Sequence, residues 1–287
     1  MLAIFKREIR AYFQTSIGFI YMGFFLLLSG VFFFFDNLFP GRSLFTGFLG
    51  NLLFIYIFSV PLLTMRVFSE EKKQKTDQLL LTSPLSVSAI VIGKFLAAFT
   101  VYLITLFFTV TYAVVISIYG DLAVWETFGS YIGFIFLGAC YIALGVFISA
   151  GTENQLTAGL VSFFVLFFLQ IIDYIIQLVP GDIQSGVFSA AVMLAAVLLF
   201  LFLNTKNWVI VAAAALIGFI AVLGFYIFKQ EVYFGFIQRF LGWFSLNRRY
   251  NTFTMGLLKF DSLLYYASFC GLFLFLTVRL IEKRRWN

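Results

Sequence analysis

Residues 66–84 read Arg66-Val-Phe-Ser-Glu-Glu-Lys-Lys-Gln-Lys-Thr-Asp-Gln-Leu-Leu-Leu-Thr-Ser-Pro84, and long apolar runs lie on both sides. Seven charges fall within residues 66–77, although only 11% of the 287 residues are charged. A charged side chain at the centre of a bilayer costs about 2.5–3.5 kcal/mol on insertion scales, so this cluster does not lie in hydrocarbon. The stretch is therefore predicted to be a water-facing loop between two membrane spans.

The composition of the whole chain indicates a polytopic membrane protein. Hydrophobic residues make up 62% of it, whereas a soluble domain averages roughly 45–50% apolar and about 25% charged residues. No second soluble domain is expected, because apolar runs cover most of the chain. The net charge of +6 is interpreted as the positive-inside bias of a membrane protein rather than as a nucleic-acid-binding surface.

The apolar pattern predicts an all-α, polytopic transmembrane helical bundle of six to eight spans. Residues 1–16 place apolar and basic side chains at helical spacing, which predicts an amphipathic helix in the membrane interface. The transmembrane domain follows over residues 17–287. Its apolar runs cover approximately residues 17–35, 48–65, 90–118, 128–150, 156–179, 187–203, 208–228 and 262–281. The run at 187–228 is interpreted either as two spans or as a re-entrant pair, and residues 229–261 as an outer interfacial segment.

The distribution of Lys and Arg predicts that both termini lie in the cytoplasm. With either six or eight spans, most of the 19 Lys and Arg residues fall on that side. The charged loop, about residues 66–89, and the polar turn at 151–155 are cytoplasmic in both cases. Lys94 lies one turn inside the third span, so its ammonium group is expected to extend back to the lipid headgroups.

The charged loop has a helical pattern of its own. Ser69 is expected to cap a helix whose first turn carries Glu70 and Glu71, which suits the positive end of the helix dipole. Three leucines at 79–81 form an apolar ridge, and Pro84 ends the helix at or before the preceding residue. These features predict a short amphipathic helix parallel to the membrane, with a solvated connector as the alternative.

Small residues within the spans indicate packing rather than chemistry. Gly129 and Gly133 form a Gly-x-x-x-Gly pair at the start of the fourth span. The pair suits a close helix contact, although small residues are also common in spans for no such reason. Cys140 and Cys270 lie inside apolar runs and are interpreted as buried free thiols.

No nucleotide-binding or catalytic motif is present in the sequence. It contains no Gly-x-x-x-x-Gly-Lys-[Ser/Thr] phosphate loop, no His-Glu-x-x-His motif, no Gly-x-Ser-x-Gly elbow and no His. An intramembrane enzyme is therefore disfavoured, and no cofactor or metal site is expected in this chain. Any step driven by ATP would need the phosphate-binding loop of another chain.

Three polar residues share one face of the fifth span. Gln170, Asp173 and Gln177 are spaced three and four residues apart. An ionisable residue inside a membrane is a functional candidate, so this polar stripe is interpreted as lining a substrate path or a subunit seam. The alternative is that Asp173, about two turns from the end of the span, simply reaches the outer headgroups.

Several stretches resemble type-2 ABC transporter permeases, and the gliding-motility (GldF-like) branch has the most similar pattern. The resemblance rests on Arg-x-Phe-x-Glu-Glu at 66–71, a Thr-acid pair at 76–77, a leucine run with Ser-Pro at 79–84 and Gly-Lys-Phe at 93–95. Residues 144–155, 253–266 and 275–286 resemble the family's fourth-span exit, last outer segment and tail. The family usually has Gly where this chain has Lys75, which predicts a less interrupted helix here.

The resemblance implies the permease subunit of an ATP-driven exporter in a bacterial inner membrane, with the charged loop as its cytoplasmic coupling helix. The expected partners are cytoplasmic ATPase subunits that carry ATP and Mg, a second permease copy or a paralogue, an extracellular GldG-like accessory protein and membrane lipid. The residues predicted to couple to the ATPase are Arg66, Glu70, Glu71, Thr76, Asp77, Leu80 and Glu153. One alternative is a membrane scaffold that anchors a cytoplasmic ATPase or a motility or secretion complex without transporting. A channel or ion-coupled carrier that relies on Asp173 is a third.

Overall fold

The computed structural model describes residues 1–43, 45–76 and 85–286. The chain is 85% helical, with no strand among these residues, so the predicted all-α fold is confirmed. The helices are α1 Leu2–Gln14, α2 Ile17–Phe33, α3 Phe45–Leu52, α4 Tyr56–Thr64, α5 Ser69–Lys73, α6 Val87–Tyr119, α7 Val124–Gly151, α8 Gln155–Leu178, α9 Ile183–Thr205, α10 Trp208–Phe228, α11 Phe236–Phe244, α12 Leu246–Thr254 and α13 Phe260–Trp286. A π-helical turn at Phe34–Leu38 extends α2, and 3-10 turns occupy Leu53–Ile55 and Gln230–Val232.

Seven helical stretches among the described residues are long and apolar enough to cross a membrane. They are Ile17–Leu38, Phe45–Lys73, Val87–Tyr119, Val124–Gly151, Gln155–Leu178, Ile183–Thr205 and Phe260–Arg284. The apolar stretch Trp208–Gly224 of α10 is shorter than these seven and lies at the lower end of the range of about 17–25 residues that can span a bilayer core. Each predicted apolar run is helical, and residues 187–228 form two separate helices. These helices fit a multi-pass membrane protein.

The chain forms two compact units, of which the first comprises Met1–Gln170 and Leu246–Asn287. In this unit, α7 packs against α13, α12, α4, α6 and α3, while α1 packs against α6. The hydroxyl groups of Tyr56 and Tyr102 lie 2.7 Å apart, and both contact the Phe134 carbonyl group within 2.9 Å. The buried tyrosines therefore keep hydrogen-bond partners inside an otherwise apolar core.

The second unit, Ile171–Ser245, contains α9, α10 and α11. Within it, α9 packs against α10 and α11. The Gly235 amide donates to the Gly181 carbonyl group at 2.9 Å. This hydrogen bond joins the loop before α9 to the loop before α11. The predicted outer segment at 229–261 is largely helical, as α11 and α12. Its position at a membrane interface stays a prediction.

The Gly-x-x-x-Gly pair of α7 makes a close helix contact, as the sequence predicts. A Cβ atom at Gly129 would lie 2.7 Å from the carbonyl oxygen of Phe253, and one at Gly133 would lie 2.8 Å from the Cβ of the same residue. Further along α7, a Cβ at Gly145 would overlap the side chain of Thr64 in α4. Glycine at these positions lets α7 approach α12 and α4 more closely than any larger residue would allow.

The helix in the charged loop is shorter than predicted. It spans only Ser69–Lys73, and Lys75 has a φ of 56°, in the left-handed region. The amides of Lys75 and Thr76 donate to the carbonyl groups of Lys72 and Glu71 at 3.1 and 2.9 Å, a Schellman pattern that ends the helix. The expectation of a less interrupted helix at Lys75 is therefore wrong, because these two bonds hold a lysine where glycine is usual. The predicted leucine ridge at 79–81 and Pro84 lie outside the described residues.

Ser69 does not cap α5. It is the first residue of the helix, after Phe68, and its hydroxyl donates to the Met65 carbonyl group instead of accepting from a backbone amide of α5. The predicted cap is therefore wrong. The amides at the start of α5 receive a partner from a distant part of the chain.

Candidate functional site

Ser149, near the end of α7, supplies the cap of α5. Its hydroxyl accepts hydrogen bonds from the amides of Phe68 and Ser69 at 3.1 and 3.3 Å. The same hydroxyl donates to the Met65 carbonyl group at 3.2 Å. One donor and two acceptor positions are all that a serine hydroxyl offers, so Ser149 is fully used. No sequence pattern indicated this residue, because it is one serine within a long apolar helix.

Lys72 makes a second connection between α5 and α7. Its ammonium group donates to the carbonyl group of Ala150, in the last turn of α7. Carbonyl groups at the end of a helix lack partners within that helix, and a cation is favoured there by the helix dipole. Ser149 and Lys72 together hold α5 at the end of α7.

Four charged residues, Arg7, Glu8, Glu71 and Lys94, form a closed charge ring that joins α1, α5 and α6. The Arg7 Nη2 atom lies 2.7 Å from Glu8 Oε1 and 2.7 Å from Glu71 Oε1. The Lys94 Nζ atom lies 3.3 Å from Glu8 Oε1 and 3.0 Å from Glu71 Oε2. Partial burial alone would lower the pKa of Arg7, but Glu8 and Glu71 outweigh it and raise this pKa above its ordinary value. Each charge in the ring thus has two opposite charges as neighbours.

Lys94 is a buried cation, with only 1% of its side chain exposed. Its Nζ atom donates to the Val67 carbonyl group at 2.7 Å and lies 5.1 Å from the centre of the Phe68 ring. Together with Glu8 and Glu71, this carbonyl group gives each of the three ammonium protons an acceptor. The expectation that Lys94 reaches the lipid headgroups is therefore wrong, because protein covers the side chain and supplies its partners.

A close contact between α1 and α6 lies next to the charge ring. A Cβ atom at Gly93 would lie 3.2 Å from the Cβ of Ile4 and 3.3 Å from the Met1 carbonyl oxygen. At the other end of α1, the Tyr12 hydroxyl donates to the Leu63 carbonyl group at 2.8 Å. Helix α1 is therefore fixed to the bundle at both ends. The sequence indicated Gly93 and Lys94 together only through the Gly-Lys-Phe pattern of the resemblance, because their contact with α1 depends on how distant helices pack.

Arg66 and Glu70 form a separate ion pair in the same segment. The Arg66 Nε atom lies 2.7 Å from Glu70 Oε2, and a second guanidinium nitrogen contacts the other carboxylate oxygen. The two side chains are 27% and 29% exposed. Glu70 is therefore already engaged by a cation of its own chain, as Glu71 is.

The other predicted coupling residues have more exposed surroundings. Thr76 is exposed, and its hydroxyl lies 3.3 Å from the carbonyl oxygen of Glu71. The Glu153 side chain is 75% exposed, and its Oε1 atom lies 3.2 Å from a guanidinium nitrogen of Arg284 in the C-terminal helix. Two predicted coupling residues lie outside the described part of the chain, namely Asp77 and Leu80. Of the seven predicted residues, Arg66, Glu70, Glu71 and Thr76 thus lie together within residues 66–76. Glu153 lies apart from them and pairs with Arg284 of α13.

The three residues of the predicted polar stripe differ in their surroundings. In the first unit, the Asn247 amide donates to Gln170 Oε1. In the second unit, the Ser245 hydroxyl donates to Asp173 Oδ1 at 2.6 Å. Gln177 is exposed. Gln170 and Asp173 therefore bind polar groups of the same chain, and a role for the stripe in a substrate path or a subunit seam stays a prediction.

These features define an all-α membrane protein in which a charged segment is bonded to the ends of several long helices. Residues 43–188, half of the chain, match the family model described as ABC-2 family transporter protein, and the chain belongs to this family. It is a membrane component of an ABC transporter, and components of this kind are not themselves catalytic. No curated protein matches the chain in sequence.

Proposed function

We propose that this chain is the permease subunit of an ATP-driven exporter and that a separate ATPase chain, which binds ATP and Mg, drives it. Membership of the ABC-2 family supports the transport role. The absence of a phosphate loop from this sequence supports the entry of energy from a separate ATPase chain. The place where it enters is residues 65–76, the coupling segment, together with the adjoining residues 77–84.

The observation that carries this proposal is the way the coupling segment is bonded to the bundle. Ion pairs join it to α1 and α6, and the hydrogen bonds that it donates to the Ser149 hydroxyl and the Ala150 carbonyl group join it to α7. Helices α6 and α7 have 33 and 28 residues, so each is long enough to cross a bilayer. A displacement of the coupling segment would therefore be transmitted along both helices to the opposite side of the membrane.

The contacts proposed with the ATPase are the seven residues that the sequence predicts. Among the five members that the structure describes, Thr76 and Glu153 are exposed and would contact the ATPase directly. The ion pairs of Glu71 support an additional role for this residue, since they hold the segment against α1 and α6. The pair of Glu70 with Arg66 lies within the segment itself. The complete set is Arg66, Glu70, Glu71, Thr76, Asp77, Leu80 and Glu153.

The proposed setting is a bacterial inner membrane, with both termini and the coupling segment in the cytoplasm. The excess of Lys and Arg on that side supports this orientation. The resemblance to the GldF-like branch supports a second permease copy or a paralogue, and an extracellular GldG-like partner. Gln170, Asp173 and Gln177 would then line a substrate path or a subunit seam, with the exposed Gln177 facing it.

Co-purification of the ATPase tests the docking assignment. Charge reversal at Glu70 or Glu71 would also break partly buried ion pairs inside the chain. The sharper variants are therefore Thr76→Arg, and Glu153→Arg, which loses only the exposed pair with Arg284. An arginine introduced into an interface either loses its hydration without gaining a partner or faces another cation, and each costs several kcal/mol, so we expect at least about a tenfold loss of bound ATPase. Asp121→Lys, at an exposed position between α6 and α7, is the matched control and should bind normally.

Two results would count against the proposal. If both docking variants retain the ATPase and ATP-driven transport, the contact lies elsewhere. If the wild-type chain binds the ATPase but never supports ATP-dependent transport in vesicles, the scaffold alternative is favoured.

A further inference from the structure

We propose that Lys94 is a positioning residue that, through the charge ring, holds the coupling segment against α1 and α6 so that these elements move together. The inference rests on the proposed function for its role in transport, because the ATPase contact is itself proposed. Its structural part stands on the ring alone. Nothing in the sequence pattern assigns Lys94 this task.

The charge ring is neutral and closed, which is why it can exist where little water reaches. Its two cations and two carboxylates alternate, and the side chains of Glu8, Glu71 and Lys94 are 15%, 19% and 1% exposed. A poorly hydrated charge is stable only when an opposite charge and hydrogen bonds replace the lost water. Each buried member therefore depends on the others remaining in place.

Arg7 cannot take over the task of Lys94. The Arg7 side chain is 53% exposed, so its ion pairs are screened by water and salt. Without the buried ammonium group, Glu8 and Glu71 would face each other with only this screened cation between them. The Val67 carbonyl group would also lose its donor. Helix α1 and the coupling segment would then repel each other at the point where both meet α6.

The coupling segment has a second, separate anchor, and this makes the inference testable. Ser149 and Lys72 bond α5 to the end of α7 without involving the ring. Loss of Lys94 should therefore loosen the segment from α6 and α1 while its contact with α7 remains. We expect a local change rather than loss of the fold.

Hydrogen exchange on the purified full chain in detergent measures this change without the ATPase. Lys94→Met keeps most of the side-chain length and removes the charge. We expect the amides of residues 69–73 to exchange at least about tenfold faster than in the wild type, since a local contact network has been opened. Amides of α12 and α13 should be unchanged. Arg279→Met is the matched control, because Arg279 is 64% exposed and has an ion pair with Glu282 in its own helix.

A double variant separates a charge effect from simple loss of packing. Glu71→Gln alone should speed exchange, because it removes one member of the ring. Added to Lys94→Met, it should slow exchange relative to Lys94→Met alone, since it removes a carboxylate that has lost its buried partner. If Lys94→Met does not fold, Glu8→Gln removes the carboxylate that α1 contributes to the ring. The amides of residues 69–73 should then also exchange faster than in the wild type.

Hydrogen exchange in the complex with the ATPase tests whether Lys94 transmits a movement of the coupling segment to α6. In the wild-type complex, ATP with vanadate should alter exchange both in residues 69–73 and in the first turns of α6. In Lys94→Met, the ATPase should still bind, but the change in α6 should be lost. Exchange in Lys94→Met equal to that in Arg279→Met, or an unchanged response of α6, would overturn the inference. Failure of the wild-type chain to bind any ATPase would instead overturn the proposed function, while the measurement on the isolated chain would still report on the ring.

Discussion

Ser149→Ala would remove a single hydroxyl group that three backbone groups of the coupling segment share. In the structure this hydroxyl accepts from the amides of Phe68 and Ser69 and donates to the Met65 carbonyl group. Ser149 and Ser69 are fully buried, so water does not readily replace the lost group. Alanine is slightly smaller and suits the helix, so the effect should come from the lost hydrogen bonds.

The expected magnitude follows from these bonds. Loss of a side-chain helix cap costs about 0.5–2 kcal/mol, and a buried backbone group left without a partner costs about 1–3 kcal/mol. The Met65 carbonyl group keeps the bond from the Ser69 hydroxyl, so only the two amides lose a partner. We therefore expect the free energy of local opening of α5 to fall by about 1–3 kcal/mol. Amide exchange in α5 would then become roughly 5- to 150-fold faster.

Hydrogen exchange of residues 69–73, measured by mass spectrometry on the purified chain, checks this value. Ser117→Ala is the matched control, because the Ser117 hydroxyl is on the exposed side of α6 and donates within its own helix to the Val114 carbonyl group at 2.8 Å. The control should leave exchange in α5 unchanged. Equal exchange in α5 for the two variants would refute the reasoning that Ser149 caps this helix.

Three further variants test other features of the fold by thermal unfolding in detergent. Gly133→Val forces a side chain against Phe253 across the helix contact and should destabilise the chain by about 1–3 kcal/mol. Its control is Gly23→Ala, whose added methyl group meets no atom within 4 Å and should not lower the unfolding temperature. Lys75→Gly should leave the free energy of unfolding unchanged or raise it. Lys75→Val should lower it by about 1–2 kcal/mol, because the left-handed backbone there is strained for a β-branched residue. Equal stability of these two variants would contradict the left-handed turn. Arg284→Ala removes the exposed pair with Glu153 and should change stability by less than about 1 kcal/mol; a larger loss would show that this pair holds the tail in place.

The number and order of the helices could be predicted because they depend on local composition. A run of about 20 apolar residues has no stable alternative to a helix in a bilayer, since every backbone group must be satisfied within the segment. The third predicted run, at about 90–118, corresponds to α6 at Val87–Tyr119. The close helix contact at Gly129 and Gly133 could also be predicted, because their spacing alone places both residues on one helix face. In each case the signal lies within a single element.

The coupling segment shows where local patterns stop being sufficient. Its charges were evident from the sequence, but their partners were not, because Glu8, Glu71 and Lys94 are more than 20 residues apart and meet only when α1 packs on α6. A lysine near the end of a span suits the headgroup region equally well until another helix covers it. Likewise, Ser149 caps α5 only because α7 ends beside that helix. Composition and periodicity therefore determine that this chain is a helical membrane protein with a charged segment, while the packing of distant helices determines which charges are buried, which are paired and which remain exposed to a partner.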